Sequence, residues 1–303
     1  MAKRPDFLIV GAPKCGTTSL FRYLKNHPQI FLPEKKEPKF ISSQFIKFPM
    51  NGPGDTRLDE TVHEFSQYSG LFSEADDHQL CGEASADTLY YYHQSIPVIK
   101  KYIGNPKIII LLRNPVERAF SSYSHTVRDH RETAGFEFAL SNEKVRIKNN
   151  FDLMWHHVKV GCYYCQVKAF LDNFEHVFVG LFDDLKKDSP SFVRNVFDFL
   201  EIDNQYLPSN LDRVYHRSYV PKYRFINQWI VRPNKLKNAA KPLFNIFFTN
   251  AQIEGMINFF KDMSEKKRNI EFDTRIRLTR SFKKDIHQLS QLIGKDLEQW
   301  IYK

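Results

Sequence analysis

At 303 residues, with 42% hydrophobic and 26% charged side chains, the chain is long enough to bury a full core and has the balance of a soluble globular protein. It holds no apolar run long enough for a membrane-spanning helix, and a first strand that starts by Phe7 leaves no room for a signal peptide, so a cytoplasmic protein is expected. The formal charge of +9 points to anionic partners, but no arginine-rich tail, zinc-finger spacing or aromatic RNA-binding pattern accompanies it, which argues against nucleic acid.

The first predicted element is a short, doubly buried strand over Phe7-Leu8-Ile9-Val10. Gly11 to Gly16 form a loop, and a helix follows from Thr17 to about Asn26. A glycine-bounded turn feeding a helix N-terminus aims several backbone N–H groups at one spot and adds the positive end of the helix dipole. That is an anion cradle, and a phosphate suits it. Lys14 brings a full charge, Thr17, Thr18 and Ser19 bring hydroxyls, and Cys15 and Gly16 complete the candidate contacts. The usual nucleoside-triphosphate loop ends in Gly-Lys-Ser/Thr so that the hydroxyl can reach magnesium. Here the lysine precedes the second glycine, so this loop is of another kind.

Prolines make His27 to Pro33 irregular, and Pro38 argues against one continuous helix over Glu34 to Ser43. The basic residues there, Lys39 among them, either line a cleft or decorate a solvated turn. Residues 45–58 read as a loop, Thr61 to Leu71 has helical spacing, and Cys81-Gly82-Glu83-Ala84-Ser85 reads as a strand end. Ile96 to Ile103 is helical, and Lys107 to Leu112 is the strongest buried-strand signal in the chain. That strand runs into Arg113, with Asn114 as N-cap and Pro115 as first residue of a helix. A cation at the carboxyl end of a central parallel strand is placed for an anion, where an aspartate would have suggested magnesium. Residues 132–158 look polar and mobile except for Phe136 to Leu140. A helix is expected from Gly161 to about Phe174, a strand over Val177 to Leu181 and a helix over Pro190 to Leu200. Cys162 and Cys165 read best as neighbours on one helix face, partly buried. Residues 203–250 read as irregular and basic, and Thr274 to Gly294 closes the chain as an amphipathic helix. The β-α alternation predicts one α/β domain over 1–303, a three-layer fold like that of the P-loop proteins, with a central parallel sheet and helices on both faces.

Pro13-Lys14-Cys15-Gly16-Thr17-Thr18 resembles the phosphosulfate-binding loop of the sulfotransferases that use 3′-phosphoadenosine 5′-phosphosulfate. Arg113-Asn-Pro-Val-Glu-Arg118-Ala-Phe-Ser121 resembles the 3′-phosphate motif of the same family. Cys81-Gly-Glu83-Ala-Ser85, Gly161-Cys-Tyr163 and the Leu292 to Trp300 ending are similar to the heparan sulfate and bacterial branch. The resemblance implies Lys14 and Glu83 as catalytic residues, Glu83 being the general base. Position alone would make Glu83 a strand-end acid paired with a surface lysine. It also implies Arg113 and Ser121 on the 3′-phosphate, with no metal ion. The late Lys-Gly-Arg loop of the membrane-anchored relatives is missing, and Arg217 and Lys222 stand at a plausible place for it. Lys39 and His125 are candidates on the acceptor side, His125 because the cytosolic branch uses a histidine base. The expected acceptor is a small molecule or glycan, such as a carbohydrate, glycolipid or metabolite. The competing readings are a kinase or nucleotide hydrolase with an atypical loop, and a non-catalytic anion-binding module.

Overall fold

The computed structural model describes residues 3–47, 50–55, 61–211, 220–221, 265–266 and 269–302. The chain begins with β1 (Phe7–Gly11), α1 (Thr17–Leu24), β2 (Ile30–Phe31), α2 (Phe40–Ser43), α3 (Phe65–Gly70) and β3 (Leu80–Ala84). It continues through α4 (Tyr92–Tyr102), β4 (Lys107–Leu112), α5 (Pro115–Arg128), α6 (Phe136–Ser141), α7 (Glu143–Lys148) and α8 (Tyr164–Asn173). After β5 (Val177–Leu181) come α9 (Phe182–Lys187), α10 (Ser189–Leu200), the short pair β6 (Val220–Pro221) and β7 (Glu265–Lys266), and α11 (Phe272–Ile293).

The five main strands are all parallel, in the order β2-β3-β1-β4-β5. β1 and β4 read as unbroken apolar runs because they lie inside the sheet and are covered on both faces. Right-handed crossovers fix which face each helix takes. The connection from β1 towards β2 runs one way along the sheet and those from β3 to β4 and β4 to β5 the other, so α1 lies opposite α4, α5 and α8. α10 joins α1, and α11 packs on α8 and α5. The result is the expected three-layer α/β architecture. One apolar core extends from Phe7 in β1 to Trp300 near the end of the chain.

Three details position the site. β1 and β4 are neighbours whose connections leave in opposite directions, which opens a crevice at their carboxyl ends. The β1–β4 register slips between Ile9 and Gly11, so the strand bends as it enters the loop. On its other side Leu8 pairs with Glu83, and the two neighbouring residues Phe7 and Gly82 pair as well. A Cβ on Gly82 would lie 2.1 Å from the Phe7 ring.

Several elements follow the sequence closely. Asn114 caps α5, its side chain accepting from the N–H groups of Val116 (3.0 Å) and Glu117 (3.3 Å), with Pro115 opening the helix. Leu278, Phe282, Ile286 and Leu289 are the buried stripe of α11, and Ile293 packs at its edge. Two regions differ. Residues 132–158 are ordered by internal polar caps rather than mobile. Glu132 accepts from the N–H groups of Thr133 and Ala134 (both 2.8 Å) and pairs with Arg146 (2.6 Å). Glu143 accepts from Val158 (2.7 Å) and Lys159 (2.8 Å), and both glutamates are buried. Their polarity marks satisfied interior groups instead of solvent. The second difference is α8, which starts at Tyr164 because a tight turn occupies Lys159–Gly161. Cys162 therefore precedes the helix, and both Cys162 and Cys165 are exposed. The helical pattern near Thr61 contracts to α3.

Candidate active site

The loop after β1 forms a cradle of main-chain donors. Gly16 adopts φ +93°, a left-handed conformation that glycine takes without strain, and it serves as N-cap of α1 without a side-chain cap bond. The first backbone bond of the helix is Leu20 N–H to the Gly16 carbonyl at 3.1 Å. Among the described residues the N–H groups of Thr17, Thr18 and Ser19 have no acceptor, so the first turn offers unsatisfied donors together with the helix dipole. A Cβ on Gly16 would stand 2.8 Å from the Phe182 ring, which floors the loop.

Lys14 also has a left-handed backbone, at φ +68°. Burial, followed by the positive charge of Arg128, brings its ammonium down to about 8, with Arg113 adding to the effect. Three cationic side chains thus act at one place. Arg113, at the tip of β4, is half-buried, lies 4.9 Å over the Phe182 ring and reaches the Lys14 carbonyl with Nη1 at 3.5 Å. Ser121 is buried on α5, two turns further along. His125 is one turn beyond Ser121 and associates with Arg128 and, at 3.6 Å, with Asp129.

Cys15 departs from the expected set of phosphate contacts. Its N–H donates to the Ala12 carbonyl at 3.2 Å and its thiol is buried 3.6 Å from the Tyr163 hydroxyl, so it faces the core and not the cradle. Burial pushes that thiol upward in pKa and keeps it neutral. Arg217 and Lys222 lie outside the described residues.

At the end of β3, beside the loop, Glu83 is only 2% exposed. Ser85 Oγ donates to its Oε1 at 2.5 Å and Tyr68 Oη approaches Oε2 at 3.5 Å. Burial raises Glu83 to about 8, against the Ser85 bond and with further help from Asp87 and Glu37. The surface lysine that position alone would pair with Glu83 is not its hydrogen-bonding partner. The segment 36–39 is stitched to this same strand end. Glu37 N–H donates to the Ala84 carbonyl (3.0 Å) and Lys39 N–H to Ser85 Oγ (3.2 Å), with both residues left-handed. Lys36 pairs with Glu37 at 2.5 Å. Burial opposes charge on Glu37, but Lys36 and Lys39 hold its pKa below the usual value. Burial opposes charge on Lys39 too, and Asp87, Asp152 and Glu37 hold it above its usual value. The basic segment is therefore bound to the end of β3 and is not a solvated turn.

Compared with known families, residues 4–270 match the family described as Sulfotransferase domain. The chain belongs to the sulfotransferase family. A crystal structure of a sulfotransferase from Alicyclobacillus acidocaldarius shares 33% identity and a TM-score of 0.77, over 98% of this chain and 99% of that one. The membrane-associated sulfotransferase kil1 of Dictyostelium discoideum is 34% identical over 126 residues, 41% of this chain and 23% of that protein. Heparan sulfate glucosamine 3-O-sulfotransferase 3A1 of Mus musculus is 25% identical over 200 residues, 65% of this chain and 45% of the relative. The chain thus spans less than half the length of these two curated relatives. No helix among its described residues is long and apolar enough to cross a membrane.

For this sulfotransferase, sequence reasoning missed Lys36 and Glu37, whose charges act on Glu83, Glu37 also acting on Lys14. The signal was the run Lys35-Lys36-Glu37-Pro38, which composition cannot separate from a solvated turn. It also gave Tyr163 no role at the site. That contact joins positions 148 residues apart, which no local pattern reveals.

Proposed function

We propose that this protein transfers a sulfuryl group from 3′-phosphoadenosine 5′-phosphosulfate to a hydroxyl or amine of an acceptor such as a carbohydrate, glycolipid or metabolite. The observation that carries the proposal is the meeting of the α1 start and Lys14 with the cation Arg113 at the switch point of the sheet, with an acid at the end of the next strand. Arg113 Nη1 and the Lys14 carbonyl are 3.5 Å apart, and Glu83 pairs in register with Leu8, three residues before the loop. The uncapped N–H groups of α1 and the half-buried cations suit a donor carrying phosphate at both ends.

When bound, the donor supplies the sulfuryl group and a bisphosphate leaving group. Lys14 and the N–H groups of Thr17, Thr18 and Ser19 hold its 5′ end, with the Thr17, Thr18 and Ser19 hydroxyls within the same turn. Arg113 and Ser121 hold the 3′-phosphate. Lys14 carries its charge where negative charge grows as the bond breaks, so it favours the transition state over the ground state. Glu83 takes the acceptor's proton on Oε2, which Ser85 does not occupy and which accepts only the long 3.5 Å contact from Tyr68 Oη. Its raised pKa suits a base working near neutral pH. Lys39 and His125 flank the acceptor side. No step calls for a metal ion. The same proposal takes the chain as one domain and as cytoplasmic, in keeping with four free cysteines.

Calorimetry with 3′-phosphoadenosine 5′-phosphate, with and without EDTA, tests the reading. The expected result is binding that EDTA leaves unchanged, together with transfer from the phosphosulfate donor in the presence of EDTA. Absence of binding, or a strict magnesium requirement, would reject it.

A further inference from the structure

Tyr163 lies immediately before α8, and its side chain is buried between the loop after β1 and the tip of β4. Its backbone is held from the opposite side. The N–H groups of Tyr163 and Tyr164 both donate to the Asp285 carboxylate on α11, at 2.8 and 3.2 Å. The ring leans on Trp300, with centroids 6.4 Å apart. What distinguishes this residue is where its hydroxyl ends. The O–H donates to the Arg113 carbonyl at 3.1 Å, and the Cys15 thiol is 3.6 Å from the same oxygen. The Cys15 thiol has two acceptors in reach, the Tyr163 oxygen and, at 3.7 Å, the carbonyl of Pro13 in its own loop.

These contacts close a ring. Lys14 and Cys15 are adjacent in sequence, Cys15 meets Tyr163, Tyr163 meets Arg113, and Arg113 Nη1 returns to the Lys14 carbonyl. One neutral hydroxyl therefore touches the backbone of one anion motif and the side chain of the other. Burial raises the pKa of both the phenol and the thiol, so the latch stays uncharged across the working pH range.

We infer that Tyr163 is a positioning residue that fixes the spacing between the phosphosulfate loop and Arg113, and so sets the preference of the site for a donor with two phosphates over one with a single phosphate. The inference rests on the assignment of these two motifs to the two phosphates of one donor. A ligand carrying only a 5′-phosphate uses the loop alone and has no need of the spacing. A 3′,5′-bisphosphate must meet both sites at once, and gains from their being held in place beforehand.

The test is Tyr163→Phe, which keeps the buried ring and removes only the hydroxyl, with calorimetry for 3′-phosphoadenosine 5′-phosphate and for adenosine 5′-phosphate. Affinity for the bisphosphate should fall roughly three- to tenfold, the worth of one neutral hydrogen bond, while the monophosphate changes by less than about twofold. Cys15→Ala cuts the same ring from the loop side and should give the same selective loss. It decides the matter alone if Tyr163→Phe lacks a cooperative melt. A purely structural role lowers the melting temperature and weakens both ligands alike, and that result overturns the inference, as does unchanged binding of both. A wild-type protein that binds the bisphosphate no tighter than the monophosphate overturns the assignment of the two motifs, and the inference with it.

Discussion

The ends of β1 and β3 lie side by side in the same sheet and face the same crevice, but they are built from different materials. The β1 end relies on main-chain donors, a left-handed glycine and one long cation. The β3 end relies on one carboxyl group wrapped in Ser85, Tyr68 and the segment around Glu37. Lys14 is brought down to about 8 and Glu83 up to about 8, and burial is the largest cause for each. Opposite charges thus respond to one shared property, exclusion from water. The difference is in what relieves them. An anion in the cradle restores the charge of Lys14, whereas Glu83 is relieved by holding a proton.

The largest expected effect separates these two ends by role. Glu83→Gln should retain donor binding and lose roughly a hundred- to ten-thousand-fold in turnover, because a base is needed only as the acceptor's proton leaves. The acidic limb of the rate profile, which ionisation of Glu83 produces as pH rises towards about 8, should vanish in this variant. His125→Ala is the control. If it is inactive while Glu83→Gln turns over normally, the base has been misassigned.

Next in size is Lys14→Ala, expected to lower turnover by about a hundred- to a thousand-fold, with a smaller loss of donor affinity. Rapid-quench measurement of the transfer step alongside calorimetry separates the two. A loss of donor affinity with an unchanged transfer step would make Lys14 a binding residue only.

A smaller change is expected at the tip of β4. Arg113→Ala should weaken 3′-phosphoadenosine 5′-phosphate roughly tenfold or more, the worth of a charge-assisted contact, and adenosine 5′-phosphate much less. Ser121→Ala should shift the ratio in the same sense. Equal losses for the two ligands would dissociate this motif from the 3′-phosphate.

The smallest effects are in stability, and here the two strand ends should move in opposite directions with pH. Glu83 has a folded pKa above its ordinary 4.5, so its contribution is complete below about 4.5 and is lost as pH rises through about 8. The melting temperature of Glu83→Gln, relative to wild type, should therefore rise between pH 5 and pH 9. Lys14 is depressed from 10.5, so its contribution is complete above about 10.5 and is lost as pH falls through about 8. Lys14→Met should gain relative to wild type as pH falls over that interval. Parallel trends in the two variants would show that burial of the pair is not what moves them.

The β1 loop and the β4 tip were legible because their signals are local. An apolar run, a glycine pair and a helix start define the first, and Asn114-Pro115 behind a buried strand defines the second. The amphipathic stripe of α11 was legible for the same reason. Residues 132–158 were not, because an acid that caps interior N–H groups has the same composition as one in water. Only the fold shows Glu143 turned inward onto Val158 and Lys159. Cys15 misled in the reverse way, since its place in the loop suggested a phosphate contact while its side chain belongs to the core. The stitching of Glu37 and Lys39 onto the end of β3 depends on left-handed residues that are not glycine, and no residue type announces them.

The tight meeting of Gly82 with the Phe7 ring has a consequence for how far this site can be altered. The ring fills the space over Gly82 on the face of the sheet opposite to the acid, since neighbouring residues of a strand point to opposite faces. Phe7 is fully buried, so a methyl group at position 82 cannot be absorbed by turning the ring into solvent. It would separate β3 from β1 and carry Glu83 away from Lys14 with no change to either functional group. An engineer who wants a longer reach between base and donor, for a bulkier acceptor, has a dial there. Pairing Gly82→Ala with a smaller residue at position 7 makes room for the methyl group and holds the reach constant.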